Sequence, residues 1–116
     1  MKKIYISGKM GEKVLSQATI EKFARAEAKL RGEGWTYVQN PASDSFQECL
    51  HDYITLSKGE RSQEANIMLF DLDMLSLCDT IYMLRDWRDS PGATTEHDFA
   101  KATGINIIYE DNESNS

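Results

Sequence analysis

The sequence is poor in cysteine and in basic residues, and it has no long apolar run. Only two cysteines, Cys49 and Cys78, occur in 116 residues, and no CxxC pair is present. His51 and His97 do not stand at a metal-ligand interval from them, so we expect no metal site and no cofactor. Buried reduced thiols in a cytoplasmic protein are the simpler interpretation of the two cysteines.

Basic residues number 13 against 19 acidic ones, which gives a net charge of −6 and a pI near 4.8. Proteins that bind nucleic acid polymers need a basic face, so we expect no such partner, although a pocket for one phosphate remains compatible. No apolar run approaches membrane-spanning length, and the start MKKIYISG has no sustained apolar segment. We therefore expect a cytoplasmic protein without a membrane partner.

Short apolar runs alternate with segments of helical periodicity along the chain. Helices are predicted at 16–31 and 45–57, and two more begin near residue 62 and at residue 90. The predicted strands are residues 3–7, 35–39, 81–84 and 105–109. This alternation is typical of a parallel sheet covered on both faces. It predicts one α/β domain over residues 1–109, a flavodoxin- or Rossmann-like three-layer sandwich with a mostly parallel sheet of four to five strands, and a disordered tail over 110–116.

Several local details follow from the same patterns. Ser45 and Glu48 have the spacing of a capping box, so the second helix is predicted to begin at Ser45. Residues 42–62 are either a lid over a pocket or plain packing, and the pattern favours neither. The apolar stripes of the first and third helices are predicted to be Ile20, Phe23, Ala24 and Ala28, and Ala65, Met68, Leu69, Leu72 and Leu75.

Residues 78–104 carry the strongest indication of a functional site. A buried strand, a polar loop with Trp87 and a helix start at Ser90 follow one another. Gly92 and Ala93 leave the first helical turn almost without side chains, so its amides and the helix dipole favour an anion. Glu96 follows about one turn (3.6 residues) later. A solvated first-turn carboxylate is the alternative interpretation of Glu96.

Residues at the carboxyl ends of the predicted strands should meet at one edge of the sheet. We expect Gly8, Asn40, Trp87, Ser90 and Glu96 to share a cleft there. The glycine-bearing loop that begins at Gly8 has neither GxGxxG nor P-loop spacing. A tight strand-to-helix turn is therefore as good an interpretation of this loop as a ligand cradle.

The ordered set of motifs resembles the nucleoside 2-deoxyribosyltransferase superfamily. The motifs are KIYISG, Asn40-Pro41, Asp71, Cys78-Asp79 and WRDSPGATTE, and they extend from Lys3 to about Tyr109. The similar branch consists of small bacterial and phage proteins with a Cys-Asp strand, then Trp, Ser-x-Gly-Ala and Glu. Two departures concern the base pocket: Lys9 stands where the family usually has proline, and an insertion precedes the Asp71 helix.

The resemblance implies a role for each matching residue. Glu96 would be the nucleophile that forms a covalent deoxyribosyl intermediate, Tyr5 would hold that carboxylate, and Asp71 would protonate the departing base. Ser90 would meet the 5′ end of the sugar, where family members that act on monophosphates carry serine and those that act on nucleosides carry aspartate. The predicted substrate-binding residues are Gly8, Lys9, Met10, Asn40, Trp87, Ser90, Gly92 and Ala93.

The function implied is cleavage or transfer at the N-glycosidic bond of a 2′-deoxynucleoside 5′-monophosphate, so the partner would be a small nucleoside or nucleotide. A non-catalytic nucleotide-binding module is the alternative, and a structural protein is a third possibility, because a fold alone does not decide function. The resemblance also implies a homodimer or higher homo-oligomer. Its candidate contacts are Phe46, Leu50, Tyr53 and Trp87.

Overall fold

The computed structural model describes residues 2–10, 14–57 and 59–113, and its centre is a four-stranded parallel sheet. The strands are β1 (Lys3–Ser7), β2 (Tyr37–Gln39), β3 (Thr80–Met83) and β4 (Asn106–Tyr109), in the order β2-β1-β3-β4. β1 lies between two neighbours, and Tyr5 pairs with Gln39 on one side and Ile81 on the other. The predicted α/β fold with a parallel sheet is confirmed, with four strands.

Four helices of three to four turns connect and cover the strands. Each begins after a serine whose hydroxyl oxygen accepts a hydrogen bond from a first-turn amide. α4 also has Pro91 at its first position, and it ends at Gly104, whose φ of 79° favours glycine. The helices are α1 (Gln17–Gly32), α2 (Asp44–Leu56), α3 (Gln63–Ser76) and α4 (Pro91–Thr103).

Side chains of the sheet alternate between two cores. Ile4 and Ile6 of β1 pack with Phe23 and Leu30 of α1 on one face. Tyr5 points to the other face, which α2, α3 and α4 cover. Burial on both faces explains why β1 and β3 read as apolar runs rather than as alternating patterns. The molecule is therefore a three-layer arrangement, with α1 on one side of the sheet and the other three helices opposite.

The apolar stripe of α1 is rotated from the predicted one. Phe23 was predicted correctly, and Ala26 and Leu30 are its buried companions. The other three predicted members are exposed: Ile20, Ala24 and Ala28. Alanine buries little area, so the large Phe23 and Leu30 side chains decide which face meets the sheet.

Two further helix details also differ from the prediction. Ser43, not Ser45, caps α2, because its hydroxyl oxygen accepts the Phe46 amide hydrogen and its own amide closes the turn on the Asn40 carbonyl. In α3, Phe70 and Asn66 are buried together with Leu75, whereas Leu69 is exposed.

The predicted tail and the predicted subunit contacts also need correction. Residues predicted to be disordered begin with a four-residue helix, α5 (Glu110–Glu113), and residues 114–116 lie outside the described part of the chain. Glu110 anchors it by accepting a hydrogen bond from the Arg85 amide at 2.8 Å.

Phe46, Leu50 and Trp87 are buried within the chain itself, so these three side chains do not offer a subunit surface.

Candidate active site

A cavity of about 730 Å³ opens at the carboxyl end of β1, beside the first turn of α4. Residues of α2 and α3 also line this cavity. The segment 42–62 therefore has both predicted roles, because it lines the cavity and also packs on α3. The Phe46 ring of α2 and the Phe70 ring of α3 lie 5.2 Å apart. Lysine and arginine are absent from the described lining. Its polar side chains are Tyr5, Gln47, His51, Gln63, Glu64, Asp71, Ser90, Thr95 and Glu96.

Glu96 is the buried carboxylate of this cavity, with 6% of its surface exposed. The Tyr5 hydroxyl donates to Glu96 Oε2 and the Ser7 hydroxyl donates to Oε1, each at 2.6 Å. Tyr5 and Ser7 are two residues apart in β1, so both side chains project to the face that α4 covers. The strand therefore presents two hydroxyl donors to one carboxylate.

Asp71 on α3 lines the same cavity, and its electrostatics differ from those of Glu96. Burial, and then the Glu96 charge, raise the pKa of Asp71. Burial also raises the pKa of Glu96, but the hydrogen bonds from Ser7 and Tyr5 lower it. No described residue donates a hydrogen bond to the Asp71 carboxyl. A proton shared between the two carboxyls therefore belongs on Asp71, and the negative charge belongs on Glu96.

Tyr5 remains a donor in this setting. Burial, and then the charge of Glu96, raise the pKa of its hydroxyl well above the usual value. The hydroxyl consequently stays protonated and donates to Glu96 over the physiological pH range. These neutral donors favour the charged form of Glu96, although burial raises its pKa overall, to about 7. The pKa of Asp71 is raised further, to about 8, so the proton is held more tightly there.

The first turn of α4 contributes backbone and side-chain groups to the cavity lining. Ser90 lines the cavity, and its hydroxyl oxygen accepts the Ala93 amide hydrogen at 3.1 Å. The Ala93 amide is therefore not open, contrary to the expectation from sequence. The Gly92 amide has no partner among the described residues, so it is the amide of this turn that remains for a ligand.

The loop after β1 is held against the loop after β3. Lys22 donates to Asp86 at 2.6 Å and to the Lys9 carbonyl at 2.7 Å, and the Lys9 amide donates to Asp86 at 3.0 Å. Burial opposes ionisation of Asp86, but these hydrogen bonds lower its pKa overall. Gly8 and Met10 line the cavity, whereas the Lys9 side chain is exposed and does not. Gly11, the last residue of the predicted loop, lies outside the described residues.

Two other predicted binding residues lie away from the cavity. Asn40 stabilises the turn after β2, because its side chain accepts the Ala42 amide hydrogen and donates to Glu27. Trp87 stacks on His97 with ring centroids 4.3 Å apart, and the Arg88 guanidinium lies 4.7 Å from its ring. The indole is occupied by these protein contacts, and Trp87 does not line the cavity.

The structure therefore brings together Tyr5, Gly8, Met10, Asp71, Ser90, Gly92, Ala93 and Glu96 from the predicted set. Sequence reasoning missed Ser7, although its spacing from Tyr5 in a strand was visible. It also missed Gln47, whose side-chain amide donates to the Pro41 carbonyl at 2.7 Å. No local pattern marks Gln47, because its approach to the cavity depends on how α2 packs on α3.

The described residues contain no group of three or more histidine, cysteine, aspartate or glutamate side chains placed to hold a metal ion. None of the helices in the described part of the chain combines the length and the apolar character that crossing a membrane requires.

A search of curated proteins finds no match to this sequence. The family model described as "Domain of unknown function (DUF4406)" matches residues 2–109, which include every strand of the sheet and every side chain of the cavity. The chain therefore belongs to the DUF4406 family.

Proposed function

We propose that the protein cleaves the N-glycosidic bond of a 2′-deoxynucleoside 5′-monophosphate through a covalent glutamyl-deoxyribose intermediate, with water as the favoured acceptor over a second base. The observation that carries this proposal is the pairing of a buried, doubly hydrogen-bonded carboxylate with a proton-holding one in the same cavity. The resemblance of the sequence motifs to the nucleoside 2-deoxyribosyltransferase superfamily supports the same reaction.

The first step needs a nucleophile and an acid at once. Glu96 supplies an electron pair to the anomeric carbon, and the carbon–nitrogen bond breaks with its pair passing to the base. Asp71 gives its proton to the base, since a nucleobase leaves poorly as an anion. In the second step water attacks the same carbon, the pair returns to Glu96, and Asp71 takes up the proton that water loses. Retaining glycosidases use two carboxyl groups in the same way.

The 5′ end of the substrate fits best at the first turn of α4. Negative charge elsewhere in the cavity, on Glu96 and Glu64, opposes a phosphate, whereas the helix N-terminus favours one. Ser90 is neutral and keeps a hydroxyl proton that it can donate, and the Gly92 amide is unoccupied within the described residues. An aspartate in place of Ser90 would repel the phosphate.

The cytoplasm is the proposed location of this reaction. Both cysteines are free thiols, the exposed Cys49 and the buried Cys78, and the cytoplasm keeps thiols reduced.

The test is release of free base from a panel of 2′-deoxynucleosides and their 5′-monophosphates, separated by chromatography. The proposal expects base release, with a higher kcat/KM for the monophosphate than for the matching nucleoside. Ser90→Asp should lower kcat/KM for the monophosphate by about tenfold or more, because the new carboxylate would repel the phosphate. A wild type that prefers the nucleoside would contradict the assignment of the 5′ end.

The non-catalytic alternative makes a different prediction for the same panel. A nucleotide-binding module would show binding by calorimetry without release of base. That outcome would end the enzymatic proposal and favour the binding module.

A further inference from the structure

The two oxygens of Glu96 are not equivalent. Oε2 accepts from Tyr5, which lines the cavity, and Oε1 accepts from Ser7, which does not line it. Ser7 is 1% exposed. Its carbonyl accepts the Leu84 amide hydrogen at 2.8 Å, so the sheet fixes its backbone. Oε2 is therefore bonded to a donor that lines the cavity, and Oε1 is bonded to a donor that lies outside the lining.

We propose that Ser7 is a positioning residue that anchors Glu96 through Oε1, so that Oε2 attacks the sugar, and that this bond persists in the covalent intermediate. The assignment of Oε2 as the attacking oxygen rests on the proposed function, whereas the anchoring of Glu96 by Ser7 does not. It goes beyond the roles that the family resemblance implies, because the resemblance assigns no role to Ser7.

The proposed covalent intermediate is an ester of Glu96, so the two carboxylate oxygens have different roles in it. When Oε2 bonds to the anomeric carbon, it becomes an ester oxygen and a poor acceptor, so Tyr5 loses its strong partner. Oε1 becomes the carbonyl oxygen and still accepts from Ser7. When water attacks the sugar, the electron pair returns to Oε2, and the negative charge spreads to Oε1. Ser7 stabilises that charge as it develops, so it assists breakdown of the intermediate.

Other groups also act on Glu96, and the test has to separate them from Ser7. Asp71 of α3 and Tyr5 of β1 face the carboxylate, and Glu64 lines the same cavity. His97, the next residue in α4, bonds instead to the Tyr109 hydroxyl at 2.7 Å. Ser7 is uncharged, so replacing it removes one hydrogen bond and changes no charge.

The first measurement needs no substrate. With ¹³C-labelled glutamate, NMR titration of the Glu96 carboxyl is compared in the wild type and in Ser7→Ala. A hydrogen bond to a charged group favours the anion, so its loss should move the Glu96 titration upward by about one to two pH units. Ser76→Ala is the matched control, since Ser76 is exposed and bonds only to its own helix. Ser7→Cys keeps a weak donor of similar size, so it should fall between the two and serves if Ser7→Ala does not fold.

The second measurement follows the reaction. In Ser7→Ala, breakdown of the intermediate should slow by about tenfold to a hundredfold, and intact mass spectrometry should show more sugar-bearing protein than in the wild type. The acid limb of the pH–rate profile should move in the same direction as the NMR titration, because a less stabilised anion forms only at higher pH.

The outcomes separate this inference from the proposed function. An unchanged Glu96 titration in folded Ser7→Ala overturns the anchoring, even if the wild type releases base. A shifted titration in a protein that releases no base from any substrate supports the anchoring and overturns the proposed reaction. A shifted titration with no accumulation of intermediate overturns the assignment of Oε2 as the attacking oxygen.

Discussion

Hydrogen bonding, rather than residue type, distinguishes the two cavity carboxyls. Buried Glu96 and partly buried Asp71 line the same cavity, but only Glu96 has hydroxyl donors, Tyr5 and Ser7. Asp71 is left with burial and a nearby negative charge, and both raise its pKa. One carboxyl is thereby suited to nucleophilic attack and the other to proton donation.

Replacing Asp71 tests the assignment of the acid. Asp71→Asn should lower base release by about a hundredfold to ten-thousandfold, because the base would leave without a proton. A 2′-deoxyribosyl fluoride 5-phosphate should be much less affected, since fluoride leaves as an anion. Asp73→Asn, on an exposed position of the same helix, is the control. An equal loss with both substrates would show that Asp71 does not act as the acid.

Individual residues show which parts of the site could be predicted from the sequence and which could not. Tyr5, Asp71 and Glu96 line one cavity, as the family resemblance implied. Of the cleft predicted from converging strand ends, Gly8, Ser90 and Glu96 line it, whereas Asn40 and Trp87 do not. Trp87 was expected to share the substrate cleft, but it stacks on His97 of α4, and the sequence of the loop alone does not reveal that partner. Ser7 could have been found, since it lies two residues after Tyr5 in an evident strand.

Among the elements, β1 and the loop that follows it connect the fold to the site. β1 supplies both donors to Glu96, and Gly8 continues directly into the cavity lining. The Lys22–Asp86 ion pair holds this loop against the loop after β3. A change in the position of this loop would therefore alter the lining of the cavity without replacing Glu96 or Asp71.

Gly8 is required by close packing and not by an unusual φ. A Cβ at this position would lie 2.7 Å from Leu84 Cδ1 and 2.9 Å from Leu84 Cβ. Gly8→Ala should therefore cost about 1–3 kcal/mol, with a Tm lower by roughly 5–10 °C in a thermal melt. Gly32→Ala is the control, because a Cβ there meets nothing within 4 Å. Equal melting temperatures for the two variants would refute the packing argument.

Element types and order were predictable, whereas helix phase and helix starts were less so. Periodicity, serines and glycines were enough to place every strand and the four longer helices. The phase of α1 was wrong because alanines on both sides of Phe23 give almost no direction. The start of α2 was wrong because Ser43 is fixed by a turn with Asn40, which a local capping pattern does not include.

For the folded chain taken as one unit, the carboxyl pair of the cavity links stability to pH. The folded-state pKa values of Asp71 and Glu96 are raised above those of unfolded carboxyls, which lie near 4. The folded state therefore holds more protons above that value, and its stability falls as pH rises through the raised pKa values. Below about pH 4 this contribution is fully present.

Thermal melts should show this dependence. We expect the wild-type Tm to be about 5 °C lower near pH 8 than near pH 5, and Asp71→Asn to lose most of that difference. Asp73→Asn should behave like the wild type. A wild-type Tm that rises over this interval would contradict the direction of both pKa shifts.

Association of the chains is a separate prediction. Leu56, Leu69 and Leu77 are exposed, and Leu56 shows 76% of its surface. We expect a homodimer or larger homo-oligomer that covers such side chains, with a mass by light scattering at least twice the chain mass of 13.2 kDa. A monomer at micromolar concentration that retains activity would contradict it.

The covalent role of Glu96 is the central claim, and mass spectrometry of the trapped intermediate tests it most directly. The wild type is quenched in acid during turnover of a slow 2′-deoxynucleoside 5′-monophosphate and then digested with a protease. The account predicts one deoxyribose phosphate unit on the peptide that contains Glu96, and neither adduct nor base release with Glu96→Ala. Full activity in a folded Glu96→Ala protein, or base release with the adduct on another residue, would contradict it.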